Sequence, residues 1–233
     1  MNFENKLIPG QFIKRYKRFF VDVKIKEKII TAHCPNTGSM MGLLKKGNKV
    51  WLTESNNPNR KLKYTLQIIE VNKSKVGVNT HLTNKIVFHA LKNNFIKEFD
   101  KKIIIKPETK FGFHTRFDFL ITKKNYKAFI EVKNVTLSRN RGVAEFPDSV
   151  TARGLKHINE LLNAYEKGYK IYILYLIQRN DCESFKIAKD IDIEYSNLLL
   201  KAVKKKLNVL CYDCKFSSKG ILLNNKIKFH TNE

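Results

Sequence analysis

The feature that most constrains this chain is a change of hydrophobic period near residue 82. Before it, five segments rich in β-branched and aromatic residues read as strands: 12–25, 29–33, 49–53, 62–71 and 76–79. The breaks between them carry turn chemistry, at Lys26-Glu-Lys28, Pro35-Asn-Thr-Gly38, Asn56-Asn-Pro-Asn59 and Asn72-Lys-Ser74. Five short strands in so few residues suggest a small closed barrel. The OB-fold is the common five-stranded solution, and it often binds oligonucleotides. After the change, residues 82–95 read as an amphipathic helix with Ile86, Ala90 and Leu91 on one face. Strand-like segments follow at 103–106, 116–122 and 128–132. A helix is expected over 150–167, with Leu155, Ile158, Leu161, Leu162 and Tyr165 on its apolar stripe and Gly168 as its stop. The apolar segment 170–178 reads as a buried strand. A helix over 196–206 and strands near 209–214 and 221–229 complete the pattern.

The expected architecture is therefore two-domain, α+β/α/β. Residues 1–82 form an OB-like barrel, and residues 83–233 form a second domain of order α-β-β-β-α-β with additions at its end.

Charge narrows the class of partner. Lys and Arg number 45 against 21 Asp and Glu, a net charge of +24. Such a field attracts polyanions, whether DNA, RNA or an anionic membrane. Eight of the basic residues are Arg and the rest Lys, alongside abundant Asn and Ile. All three abundant residues have AT-rich codons, so codon bias accounts for part of the charge. Its distribution says more: residues 1–82 carry +11 of the total on about a third of the length. The start, MNFENKLIPG, lacks a secretory pattern, and the apolar run 171–177 is far too short to span a bilayer. The four cysteines, Cys34, Cys182, Cys211 and Cys214, make no disulfide framework. A cytoplasmic protein without membrane attachment is expected. His33-Cys34 and Cys211-x-x-Cys214 lie at opposite ends of the chain and read as packing residues rather than a zinc site.

The segment that carries chemistry is Asp118 followed by Glu131-Val-Lys133. Both sites fall on expected strands, and residues i and i+2 of a strand share a face. Adjacent strands can thus present Asp118, Glu131 and Lys133 together. Two neighbouring carboxylates repel unless a cation lies between them, and hard oxygen ligands suit Mg2+ or Mn2+. Lys133 would then orient or deprotonate the attacking water and offset transition-state charge. Glu108, at the end of the preceding strand, is a candidate third acid and metal ligand. Gln178, after the apolar strand, is a candidate to bond the metal water or the DNA. The plain alternative is a set of exposed charges paired in a sheet.

Candidate DNA contacts fall in three places. Lys14-Arg-Tyr-Lys-Arg-Phe-Phe20 interleaves bases with aromatics, so that Arg15, Lys17 and Arg18 can meet phosphates while Tyr16 and Phe19 stack on bases. The plain reading puts Phe12, Phe19 and Phe20 in the barrel core, and it is preferred for these three. Arg60 and Lys61 form a second basic edge. Arg153, Lys156 and His157 occupy i, i+3 and i+4 of the 150–167 helix, an exposed face suited to a phosphate.

With these residues in view the chain resembles the sugar fermentation stimulation protein A family of prokaryotes. The resemblance rests on Arg15-Tyr-Lys-Arg-Phe19, His33-Cys-Pro-Asn-Thr-Gly-Ser-Met40, Asn57-Pro-Asn-Arg-Lys61, Gly77-Val-Asn-Thr80, Thr115-Arg-Phe-Asp118, Glu131-Val-Lys-Asn-Val-Thr136, Phe146-Pro-Asp148, Arg153-Gly-Leu-Lys-His157 and 209–212. It implies an N-terminal OB-like domain, a C-terminal PD-(D/E)xK nuclease-like domain, DNA binding without strong sequence preference, and a link to regulation of sugar (maltose) utilisation. Three readings stand open: a DNA-binding regulator with a nuclease-like scaffold, a Mg2+/Mn2+-dependent nuclease, and a non-catalytic RNA-binding module. The sequence leaves oligomeric state open, a homodimer included.

Overall fold

The computed structural model describes residues 1–99, 102–112 and 115–231. Its first strands are β1 (Ile8–Tyr16), β2 (Phe20–Ile25), β3 (Lys28–His33), β4 (Lys49–Glu54), β5 (Tyr64–Val71) and β6 (Ser74–Gly77). They run in the order β3-β2-β1-β4-β5-β6, and His33 pairs with Thr65 to join β3 to β5. Five strands thus close into an OB barrel, with β6 a hairpin extension of β5. Alternation fills the interior: Phe12, Val21, Val23, Val50, Leu52 and Leu66 point inward, and Met40 and Leu43 plug one end.

The segment 12–25, expected as one strand, is a hairpin. The chain reverses at Lys17 and Arg18, whose φ values are 47° and 60°. Neither is the Gly or Asn that usually marks such backbone. The turn also sends Phe19 outward, contrary to the core position expected for it: it is 46% exposed, whereas Phe12 is 2% exposed.

A 3-10 turn at Thr80–Leu82, capped by the Asn79 side chain, leads into α1 (Thr83–Lys92). Then come β7 (Ile104–Phe111), β8 (Thr115–Lys123), β9 (Tyr126–Val135), β10 (Leu137–Asn140), β11 (Gly142–Phe146), α2 (Ala152–Glu166), β12 (Lys170–Ile177), β13 (Cys182–Ile187), α3 (Ile193–Lys204), β14 (Asn208–Phe216), β15 (Ile221–Lys226) and β16 (Lys228–His230). The main sheet has the order β15-β14-β12-β9-β8-β7. β9, β12 and β14 are parallel to one another, and β8 and β15 run against their inner neighbours. This is the α-β-β-β-α-β core of a PD-(D/E)xK-type domain. Central β12 is buried on both faces, as parallel strands are. Leu174 and Leu176 pack with α1, while Ile173, Tyr175 and Ile177 pack with α2 and α3.

Two features depart from the expected pattern. A second sheet, β10-β11-β13-β16, sits beside the main one and was not anticipated. Segment 221–229, expected as one strand, divides at Ile227: β15 joins the main sheet and β16 the second.

The two halves interlock. Ile68 and half-buried Trp51 of the barrel pack into the same core as α1. Asn2 bridges to Gly220, where an added Cβ would lie 2.1 Å from the Met1 carbonyl oxygen. Val76 bridges to Arg179, and Gly77 N–H donates to the Gln178 carbonyl at 2.8 Å. Among the described residues no helix is long and apolar enough to cross a membrane.

Candidate active site

β8 and β9 pair from Lys123↔Tyr126 up to Phe119↔Ile130 and then part. Asp118 is the first residue beyond that pairing, and its carboxylate fills the gap. Oδ2 accepts the Val132 N–H at 2.7 Å, in place of a main-chain acceptor on β8. Oδ1 accepts from Asn84 Nδ2 at 2.7 Å, so α1 fixes the other half of the group.

Glu131 and Lys133 share a face of β9, and Lys133 Nζ donates to Glu131 Oε1 at 2.9 Å. His157 reaches down from α2 and bonds the same Oε1 through Nδ1. Arg153 Nε donates to His157 Nε2 at 3.4 Å, which makes Nε2 the acceptor and places the imidazole proton on Nδ1, facing Glu131. Glu131 is 3% exposed, and its other oxygen, Oε2, is buried without a hydrogen-bond partner.

The two carboxyls respond in opposite ways. Burial, then the nearby Glu131 charge, push Asp118 from 3.8 up to about 6. Burial also pushes Glu131 upward, but the Lys133 ammonium and the His157 contact outweigh it and hold Glu131 below its ordinary value. One acid is thus firmly ionised beside another whose negative charge is disfavoured, a repulsion that a cation held by both would relieve. Among the described residues, no group of three or more His, Cys, Asp or Glu is arranged to hold a metal ion. The donor set is two carboxylates, which suits a hard ion that keeps several waters.

The other expected site residues are dispersed. Glu108 would face Asp118 across the β7–β8 register, but its backbone adopts φ 49° there, and its exposed carboxylate lies 3.8 Å from the Arg116 guanidinium. It therefore does not complete a triad. Gln178 is fully buried in the seam between the domains and does not reach solvent. Its Nε2 donates to Asn134 Oδ1 at 2.5 Å and Thr83 Oγ1 at 3.2 Å. His157 is not on an exposed face with Arg153 and Lys156: those two are exposed, and it is 9% exposed against Glu131. Arg15 is half-buried and engaged within the barrel. Its guanidinium donates to the carbonyls of Arg18, Asn36 and Gly38, at 3.1, 2.6 and 3.1 Å, and so pins the loop after β3. Lys17, Arg18, Arg60 and Lys61 remain exposed. Tyr16 and Phe20 stack at 5.5 Å beneath the hairpin tip.

Sequence reasoning missed Asn84 altogether and gave His157 another role. On α2 the spacing Gly154, His157, Ile158, Leu161 follows the buried stripe. That spacing was the available signal for an inward histidine.

A closed OB barrel locked to a PD-(D/E)xK-type sheet, with Asp, Glu and Lys at the parting of two strands, defines a class of nuclease-like two-domain proteins. Comparison with known proteins gives the family. Residues 13–78 match the model described as the SfsA N-terminal OB domain, and residues 81–220 match that of the sugar fermentation stimulation protein RE domain. The chain belongs to the sugar fermentation stimulation protein family. It is 56% identical to a sugar fermentation stimulation protein homolog of Pelagibacter ubique, with 98% of each chain covered. It is 39% identical to the homolog of Bartonella henselae, again over 98% of each. Among solved structures it resembles Pyrococcus furiosus SfsA in complex with Ca2+, with a TM-score of 0.87 and 26% identity over 99% of this chain and 98% of that one.

Proposed function

We propose that this chain is a DNA-binding protein whose Asp118–Glu131–Lys133 centre hydrolyses phosphodiester bonds with the help of Mg2+ or Mn2+. The observation that carries the reading is the buried, unpartnered Oε2 of Glu131 beside Asp118, whose negative charge the site disfavours. A cation held by these two carboxylates would supply polarisation of the phosphodiester and a more acidic bound water. The Pyrococcus relative was solved with Ca2+, a hard ion of the same ligand preference, which supports such a site. Asn84 and the Val132 N–H hold the Asp118 carboxylate in place. Lys133 Nζ reaches the rim of the site and is the group able to orient a water or steady a developing oxyanion. His157, itself fixed by Arg153, aligns Glu131. The charge of +24 and the exposed cations of the barrel supply affinity for the polyanion. The family's name supports a link between this activity and sugar utilisation, and we assign the protein to the cytoplasm.

A second reading has its own observation. Glu131 Oε1 is already taken by both Lys133 and His157. In that reading the domain is a DNA-binding scaffold in a regulator, and the acids never gather a metal.

One experiment separates the two. Labelled single- and double-stranded DNA is incubated with the protein in EDTA, Mg2+ or Mn2+ and run on denaturing and native gels beside Lys133→Ala. The proposal expects metal-dependent cutting by the wild type, none by the variant, and equal retardation by both. Retardation without cutting in any metal would leave the scaffold reading. Displacement of bound DNA by RNA at lower concentration would overturn both in favour of an RNA-binding module.

A further inference from the structure

Three of the segments that carry the family resemblance meet at a place the acidic centre does not use. His33 ends β3, Arg60 lies in the loop between β4 and β5, and Asn79 caps the 3-10 turn. They line a polar cleft of about 380 Å3 on the barrel side of α1. His81 and Lys85, one helical turn apart, complete the wall.

The floor is rigid. Asn79 Nδ2 donates to Gln67 Oε1 at 2.8 Å, and Gln67 Nε2 donates to Thr53 Oγ1 at 2.7 Å. Above it stand four groups that are cationic or can become so. Arg60 Nη2 lies 3.3 Å from His33 Nδ1, and the His33 and His81 rings are 6.2 Å apart. The two acids of the wall each lie beside a lysine. Glu54 pairs with Lys63 at 2.7 Å, and exposed Glu4 lies 3.8 Å from Lys85. No described carboxylate forms an ion pair with Arg60, His33 or His81. The exposed Arg60 guanidinium thus faces an imidazole instead of an acid, an arrangement able to receive an anion.

We infer that His33, Arg60 and His81 form a phosphate-binding subsite, separate from the acidic centre, that takes the phosphate of a nucleotide unit. The planar fork of Arg60 matches two oxygens of a phosphate, and the two imidazoles can donate to the remainder. Burial, Arg60 and His81 all lower the basicity of His33, so an anion here removes a repulsion already present. The nucleotide source rests on the DNA-binding reading above, whereas the phosphate chemistry stands without it. One helix joins the two places: Asn84 of α1 holds Asp118, while its neighbour Lys85 lines the cleft.

The test is NMR of protein labelled at its histidine side chains, in EDTA at constant chloride. It is titrated with inorganic phosphate, then with a 5′-phosphorylated trinucleotide and its unphosphorylated twin. The expected result is a saturable shift of the His33 and His81 ring signals with phosphate, with His89 and His230 still. The phosphorylated trinucleotide should bind at least tenfold tighter than phosphate, and Arg60→Gln should weaken both about tenfold while leaving the spectrum folded. Because Arg60 is exposed, the variant keeps its core; His81→Gln is the second variant. Phosphate binding that exceeds trinucleotide binding keeps the subsite and assigns it a small phosphorylated compound. Static His33 and His81 signals, or equal affinity in Arg60→Gln, overturn the inference. A failure to cut DNA bears on the acidic centre and leaves this result untouched.

Discussion

Replacing Asp118 by Asn should stabilise the metal-free protein, and the gain should depend on pH in a defined way. The folded Asp118 pKa is about 6 against 3.8 for the free group. Between those values the native state holds a proton that the unfolded chain has released. Folding is therefore favoured at low pH and loses free energy as pH rises through 6. Two-state linkage for this shift gives a cost of about 3 kcal/mol at pH 7.5 and about 1 kcal/mol at pH 4.5. Asn carries no such charge. It retains one acceptor oxygen, which can serve either Asn84 or the Val132 N–H but not both, a loss of about 1 kcal/mol unless the Asn84 amide turns over. The net expectation is a gain of about 2 kcal/mol at pH 7.5, equivalent to roughly 4–8 °C in melting temperature for a chain of this size, and close to zero at pH 4.5. Urea unfolding in EDTA at the two pH values, wild type beside variant, measures it. Adding Mn2+ at pH 7.5 should raise the wild-type transition and leave the variant where it was. A variant less stable than wild type at pH 7.5, or a difference that ignores pH, would refute the account of Asp118 as a charge held at a cost.

Gly77→Ala should destabilise by about 1–3 kcal/mol in urea unfolding, because its Cβ would sit 2.4 Å from Gln178 Oε1, on a side chain pinned to Asn134 and Thr83. Shortening the neighbour in a Gly77→Ala, Gln178→Ala double variant should recover part of that loss. Lys17→Ala with Arg18→Ala should flatten the slope of log affinity against log salt by about two on duplex DNA, if both meet phosphates. Arg15→Ala should leave that slope alone and lower stability by about 1–3 kcal/mol, since its guanidinium serves three carbonyls.

What could be read from the sequence followed the range of the forces involved. Helices α1 and α2 and strand β12 announce themselves through periodic or continuous apolar residues, and Asp118 with Glu131-x-Lys133 sits on strands as expected. The hairpin at Lys17 and Arg18 was hidden because cations occupy left-handed backbone there. The second sheet was hidden for a different reason. β11 pairs in parallel with β13, about forty residues later, and such pairing leaves no local signature. The polar run through Ser138–Asn140, which pairs with β11, reads as loop because no apolar alternation marks it. His157 shows how one helical wheel supports two readings. It is i+4 from Arg153 and i+3 from Gly154, and only its contact with Glu131, on the side where Gly154 meets Tyr195, selects the second. Glu108 and Gln178 were placed by element and not by side-chain direction, which a list of strands does not contain.

The seam between the domains bears on how binding and chemistry are related. The barrel and the acidic centre share α1 and one hydrophobic core, and the chain's first residues pair with Gly220 at the far end. A polyanion bound to the barrel would therefore lie at an offset from Asp118 and Glu131 that this shared core sets. Under the proposed function, which phosphodiester meets the acids is then set by distance along the strand from a held phosphate, and base identity has no part in it. The exposed candidates, Lys17, Arg18, Arg60 and Lys61, are cations suited to phosphates, which carry no sequence information. Under that proposal, a ruler of this kind would give binding without strong sequence preference through geometry alone.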